Sequence, residues 1–199
     1  MKDLSEKTGI IRDYLTYDQM VQYKKYFSTV TPTKSRLQDD VYGIDHKNKS
    51  HYLWFKNTLL KKLQNTFRND LQLSWAMFCK FTDSFKIHND NDKNLPEPNS
   101  RSYIVGLIPF AVNGDPDQCY KSSTLIFTKE PNENYIEDHK KWLSNNEIDR
   151  VKNYKIFNIH EWRSGDLIWW KSEMDHAGSH FVGDIKLKEC WSIHTYVRN

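Results

Sequence analysis

The feature that most constrains this chain is an apolar alternation in its middle. Leu71, Leu73, Trp75, Met77, Cys79 and Phe81 recur at every second position. Side chains two apart share a face of a strand, whereas a helix repeats every 3.6 residues, so this run reads as a β-strand. Residues 85–90 (FKIHND) continue the extended pattern, and further strands are expected over 103–110 (YIVGLIPF), 124–128 (TLIFT) and 156–159. The segment 165–170 (GDLIWW) reads as a glycine turn entering a buried strand, and residues 186–197 alternate again.

The first 70 residues have a different rhythm. Thr16 and Gln19 form a capping-box pair ahead of Tyr17–Phe27, where Met20, Tyr23 and Phe27 share one side of a helix. Residues 30–50 are polar and broken by Pro32 and Gly43, so they read as loop. A second helix is expected from after Ser50 to about Phe67, on the stripe Leu53, Leu59, Leu60, Leu63 and Phe67. Residues 91–100 (NDKNLPEPNS) read as a loop placed to act as a lid, and 130–155, dominated by charges and asparagines, as an insertion with a short helix near Ile136, Trp142 and Leu143. The expected architecture over 1–199 is one domain, mainly β with flanking helices. Residues 1–70 form a helical support packed on one sheet, and 71–199 an antiparallel sandwich or barrel.

Composition narrows the functional classes. Aromatic residues at 14% supply enough large side chains for a core and exclude wholesale disorder. A net charge of +3 makes no case for a nucleic-acid partner. Cys79, Cys119 and Cys190 are odd in number and lack C-x-x-C spacing, which argues against a disulfide framework or a cysteine zinc site and for a reducing compartment. The N-terminus has no apolar signal core and no stretch approaches a membrane span, so a cytoplasmic protein is expected.

Three pieces carry the chemistry. His88-Asn89-Asp90 is an H-x-D whose imidazole and carboxylate share a face if the segment is extended. Alone it is weak: with 8 histidines and 26 acidic residues in 199, about one H-x-[DE] arises by chance. The second piece is the apolar run 165–170 followed by Asp175-His176, which sets His176 near a sheet rim; His180 is its rival, four residues further on. The third is the tail, where Lys186, Lys188, Cys190, Ser192 and His194 share one face. That face is either the solvent side of an edge strand or the lining of a polar cavity. Trp169, Trp170 and His180 flank the distal histidine, and the tryptophans serve as core or line the way in.

In order and spacing, these pieces resemble the 2-oxoglutarate- and Fe(II)-dependent dioxygenases over roughly residues 70–197, with most likeness to prolyl-hydroxylase-like members and to small phage- or marine-bacterium-type members. The resemblance implies a double-stranded β-helix, the cupin-like jelly roll. It implies Fe(II) held by His88, Asp90 and His176, with 2-oxoglutarate and O2 as co-substrates and ascorbate as an accessory reductant. Two histidines and a carboxylate leave half of an octahedral iron open for a chelating keto acid and oxygen. It assigns the distal carboxylate of 2-oxoglutarate to a basic residue on the last strand. Many members have arginine two residues before the serine, but here that position is Cys190, so Lys188 takes the role with Lys186 as fallback. Tyr103 and Ser192 are the expected hydroxyl partners of the same co-substrate.

The implied activity is hydroxylation of a protein side chain or a small molecule, in the cytoplasm, or the host cytoplasm for a virus-encoded protein. Two other readings stand beside it. An alkylation-repair-type dioxygenase would act on nucleic acid, but that group carries paired arginines in its final segment and here only Arg198 lies there. A jelly-roll binding module without chemistry is the third, against which the complete His88, Asp90 and His176 set counts.

Overall fold

The last strand of the chain organises the fold. In the computed structural model, which describes residues 5–27, 33–34, 41–45, 53–82, 87–90, 100–143, 151–181 and 183–198, this strand sits at the centre of the larger sheet. In chain order the elements are β1 (Thr8–Ile11), α1 (Tyr17–Phe27), β2 (Thr33–Lys34), β3 (Val41–Asp45), a π-helical stretch (Phe55–Leu60) running into α2 (Lys61–Thr66), and β4 (Gln72–Phe81). Then follow β5 (Ser100–Val112), a 3-10 turn (Pro116–Lys121), β6 (Ser123–Lys129), α3 (Tyr135–His139), β7 (Tyr154–Glu161), β8 (Leu167–Lys171), β9 (Asp175–Gly178) and β10 (Lys188–Arg198).

Two antiparallel sheets result, in the orders β1-β8-β5-β10-β4-β3-β2 and β7-β6-β9. This is the expected jelly roll. An isolated bridge between His88 and His176 adds a further short edge beside β9. Two elements fall where loop was expected: β2 and β3 lie within residues 30–50, because β3 completes its hydrogen bonding against β4 rather than through any apolar period of its own. The expected lid over 91–99, the extended residues 83–86, and part of the insertion at 144–150 lie outside the described residues.

Apolar surface is buried in three clusters. The first lies between the larger sheet and the helices and holds Tyr23, Leu59, Leu63, Phe67, Phe78, Trp169 and Trp191. The second fills the space between the sheets with Cys79, Val105, Val112, Ile126, Ile168, Trp170 and Cys190. The third sits under the insertion, around Leu125, Phe127 and Leu143. Trp169, Trp170 and Trp191 are at most 2% exposed, and each contributes about 2 kcal/mol or more by burial. Trp169 and Trp170 are thus core residues, on opposite faces of β8.

The larger sheet is covered on both faces, so its alternation is not polar against apolar. A register shift between His194 and Thr195 against β4 places Trp75 opposite His194 but Leu73 opposite Thr195. The bulge exchanges the faces of β4 at that point. Leu71 and Leu73 pack toward the helices, whereas Met77, Cys79 and Phe81 pack between the sheets.

Local signals hold at the expected places. The Thr16 Oγ1 accepts from the Gln19 amide (3.3 Å) and the Gln19 Oε1 from the Thr16 amide (3.1 Å), the reciprocal bonds of a capping box. Gly165 turns the chain into β8 at φ +82°, and a Cβ there would stand 2.8 Å from the Leu15 carbonyl oxygen. The next residue, Asp166, is buried; it accepts from the Asp13 amide (2.8 Å) and pairs with Arg12 (2.5 Å), tying β1 to the entrance of β8. Among the described residues, no helix is long and apolar enough to cross a membrane.

Candidate metal centre

His176 lies on β9, and its backbone exchanges two hydrogen bonds with His88: His88 N–H to His176 C=O at 3.1 Å and the reverse at 2.8 Å. This bridge fixes the two histidines side by side, with ring centroids 4.3 Å apart. Asp90 follows two residues later and donates its amide to the Ser172 carbonyl just beyond β8 (3.2 Å). The H-x-D segment is thus docked on the barrel by its backbone, and its side chains turn toward β9.

One ligand atom each from His88, Asp90 and His176 falls within 4.8 Å of the others. His176 Nε2 stands 3.1 Å from Asp90 Oδ2, and His88 Nε2 stands 3.6 Å from Asp90 Oδ1. Two donors bound about 2.1 Å from one ion at right angles stand about 3 Å apart, so this spacing fits a shared cation. Trp170 closes one side of His176, with ring centroids 4.5 Å apart.

The tautomer of His176 sharpens the argument. Its Nδ1 faces the Met174 carbonyl at 3.3 Å, and in the tautomer that carries its proton there this nitrogen donates to that carbonyl. The neutral ring then presents a lone pair at Nε2, aimed at a carboxylate oxygen 3.1 Å away. Burial, and secondarily the neighbouring His88, hold His176 well below the ordinary histidine range despite the Met174 carbonyl, which pulls the other way. In that tautomer the two facing atoms are the kind that a shared cation would join.

His194 was on the tail face read from the sequence but was not among the expected ligands. The structure brings it here: its Nε2 lies 3.8 Å from Asp90 Oδ1. Burial, then His88, pushes its imidazole down to about 3. Its signal in the sequence was only membership of a strand face with too many polar residues for a core.

The other expected site residues separate. Lys188 is 3% exposed, and its ammonium donates to the Ser179 carbonyl (2.5 Å) and reaches Ser179 Oγ and the His180 carbonyl, each at 3.4 Å. The rings of Phe181 and Trp162 flank it at 4.6 and 5.9 Å. Burial lowers the Lys188 ammonium to about 8. Lys186 is exposed at the surface, and its backbone amide bonds to Asn113 Oδ1. Ser192 is half-buried opposite Met77 and Leu107, both of which pack on the cluster between the sheets.

Tyr103 is not brought to the site. The register of β5 against β10 shifts so that Val105 opposes His194 but Ser102 opposes Tyr196. This bulge turns Tyr103 away from the inward face of Val105 and packs it against the helical cluster, with the Arg68 guanidinium 5.2 Å from its ring centroid. His180 is also outside the ligand group; its amide donates to the Trp142 carbonyl (2.7 Å), and its own carbonyl faces Lys188.

No protein-family model matches this sequence, and no curated protein is detectably similar to it. Solved structures are similar in fold. The α-ketoglutarate-dependent carbocyclase SnoK of nogalamycin biosynthesis superimposes with a TM-score of 0.62 at 10% identity, over 97% of this chain and 80% of its own. A prolyl-4-hydroxylase from Pseudomonas putida gives 0.56 at 11% identity, over 99% and 96%. HygX from Streptomyces hygroscopicus, solved with nickel, 2-oxoglutarate and hygromycin B bound, gives 0.57 at 10% identity, over 97% and 83%.

The fold is that of the 2-oxoglutarate/Fe(II) oxygenases. In this oxygenase fold the His-Asp-His cluster occupies the rim of the smaller sheet, and the buried ammonium of Lys188 lies in the space between the sheets. Among the described residues, no carboxylate pairs with that ammonium. A buried cation set among carbonyl and hydroxyl oxygens and two aromatic rings suits an anionic ligand. The residues present therefore fit both the metal and a carboxylate co-substrate.

Proposed function

We propose that this protein is a non-haem Fe(II) oxygenase coupling oxidative decarboxylation of 2-oxoglutarate to hydroxylation of a protein side chain or a small molecule. The observation that carries the reading is the 3.1 Å approach of His176 Nε2 to Asp90 Oδ2, with His88 completing a set of donors within 4.8 Å. His88, Asp90 and His176 hold the metal on one side. When bound, iron would supply O2 chemistry that splits the keto acid into succinate and CO2, one oxygen atom going to succinate and the other to the substrate.

The chain itself supplies binding, orientation and exclusion of water. Lys188 receives the distal carboxylate of 2-oxoglutarate by exchanging its contacts to Ser179 and His180 for a charge-assisted pair. Phe181 and Trp162 make the walls of that pair apolar, which strengthens it. Ser192 adds a hydroxyl on the same face of β10. Trp170 braces the His176 ring. The free, buried cysteines Cys79, Cys119 and Cys190 suit a reducing cytoplasm.

The substrate range rests on the similar structures: hygromycin B is bound in one and another is a prolyl hydroxylase, so a small molecule and a protein side chain are both candidates. Nucleic acid is not favoured, since the last strand carries Arg198 alone among arginines. The test is anaerobic addition of Fe(II) and 2-oxoglutarate, which is expected to produce a weak visible charge-transfer band, followed by a succinate-release assay against a panel of peptides and small molecules. A folded protein that gives no such band overturns the proposal.

A further inference from the structure

The antiparallel bridge between His88 and His176 sets the residue after one opposite the residue before the other, so Asn89 faces Asp175. Neighbours along an extended chain point to opposite sides. His88, Asp90 and His176 meet on one side. Asn89 and Asp175 meet on the other, where the Asn89 side-chain amide donates to Asp175 Oδ1 at 3.3 Å. Lys129 reaches in from β6 to Asp175 Oδ2, also at 3.3 Å. The Asp175 side chain is 8% exposed, whereas that of Lys129 is 65% exposed and Asn89 lies at the surface.

Aspartate is an uncommon strand residue, and this one stands opposite Phe127 on β6. Burying a carboxylate there costs desolvation that an apolar residue would not incur. Lys129 offsets little of that cost, because an ion pair whose lysine extends into solvent is weak. What the carboxylate does that no apolar side chain can is accept from the middle residue of the H-x-D segment. That segment belongs to no long strand; its His88 and Asp90 amides reach only the carbonyls of His176 and Ser172.

We propose that Asp175 is a positioning residue: by holding Asn89 on the far side of the segment, it seats His88 and Asp90 against β9 before any ion arrives. This deepens the proposed function and rests on its reading of His88, Asp90 and His176 as ligands. A segment ordered in advance spares the metal the cost of ordering it, so the bond raises affinity without touching the ion.

The test uses the full chain with Co(II) as the probe and needs no turnover. Dissociation constants are measured for the unmodified protein, Asp175→Ala, Asn89→Ala, the double variant, and Asp175→Asn, whose amide oxygen still accepts from Asn89. Hydrogen exchange of each metal-free protein follows the segment itself. Each alanine variant is expected to bind Co(II) about 5–10-fold more weakly, the effect of one hydrogen bond to a charged group. The double variant should be no weaker than the weaker single one, and Asp175→Asn should stay within about threefold of the unmodified protein. In the metal-free alanine variants the amides of His88 and Asp90 should exchange faster, with those of β10 unchanged. Losses that multiply in the double variant overturn the proposal, because the two residues then act separately. An equal loss in Asp175→Asn and Asp175→Ala also overturns it, because the metal then senses the charge of Asp175 and not its hold on Asn89. Exchange that rises throughout the sheet, or at neither His88 nor Asp90, overturns it as well. Asp175→Val, which suits a strand, replaces the alanine variant if that protein does not fold. Failure of the unmodified protein to take up Co(II) overturns the metal-site reading instead, and exchange in the metal-free proteins still decides the role of Asp175.

Discussion

His88 and His176 exchange both of their backbone hydrogen bonds, at 3.1 and 2.8 Å, so two imidazoles remote in sequence are set by main-chain geometry rather than by side-chain chance. The candidate metal centre takes its geometry from that pair. An extended residue and its cross-strand partner direct their side chains to the same side of the sheet, and here both carry Nε2 toward Asp90.

The distal ligand is the first point to check. His176→Ala is expected to abolish Fe(II) or Co(II) binding, whereas His180→Ala binds within about threefold of the unmodified protein, a difference under 1 kcal/mol. Isothermal titration of both variants decides it, and the reverse order would move the ligand to His180.

Lys188 separates co-substrate from metal. Lys188→Ala is expected to weaken 2-oxoglutarate binding by about 10–100-fold, the loss of a charge-assisted bond, while leaving metal affinity unchanged. Lys186→Ala should change neither, because Lys186 is exposed. An equal loss of metal and co-substrate would contradict this assignment.

The same lysine gives a pH signature. Burial lowers its ammonium to about 8, below its ordinary value of 10.5. Between those values the unfolded chain binds more protons than the folded one, so the apo protein gains stability as pH rises from about 8 to about 10.5. Binding of 2-oxoglutarate runs the other way and weakens as pH rises past about 8. Thermal unfolding and binding titrations across this range are expected to move in opposite senses, and Lys188→Met should flatten the stability trend.

Acid acts through the imidazoles. His176 lies below its ordinary range and His194 is pushed to about 3, so the unfolded chain takes up protons first as pH falls through 6.5. The stability of the apo protein is expected to decline from about pH 6.5 toward pH 3. His194→Leu should lessen the slope, which chemical denaturation at several pH values would measure.

Gly165→Ala tests the turn ahead of β8. The positive φ and the 2.8 Å approach of a Cβ to the Leu15 carbonyl predict a loss of about 2 kcal/mol or more, read as a lower Tm. A neutral result would show that the 12–15 segment yields.

Much of the architecture was legible because long strands with large apolar residues announce themselves: β4 and β10 fall where alternation placed them, and β5, β6 and β8 where apolar runs did. The short strands β1, β3 and β9 did not, since TGII, VYGID and DHAG owe their extension to the partners they join. His88, Asp90 and His176 were singled out through a resemblance in order and spacing, and the structure brings one ligand atom of each within 4.8 Å of the others. The failure at Tyr103 came from parity: one bulge opposite His194 and Tyr196 reverses which face a residue takes, and no count along the sequence registers it. His194 was visible on the right face, but its meeting with Asp90 depends on where a separate segment docks.

Among the described residues, Asn89 also ties this segment to β9 by donating to Asp175 Oδ1 at 3.3 Å. His88 and Asp90 are fastened to the barrel through His176 and Ser172, outside any long ladder. In the proposed metal-bound protein, an ion gripping both of them together with His176 would act as a rivet between this tether and the sheet. Loading the metal and seating the tether then become a single equilibrium, so the amides of His88, Asp90 and His176 should exchange with solvent far more slowly once the ion is in place, while those of β10 scarcely change.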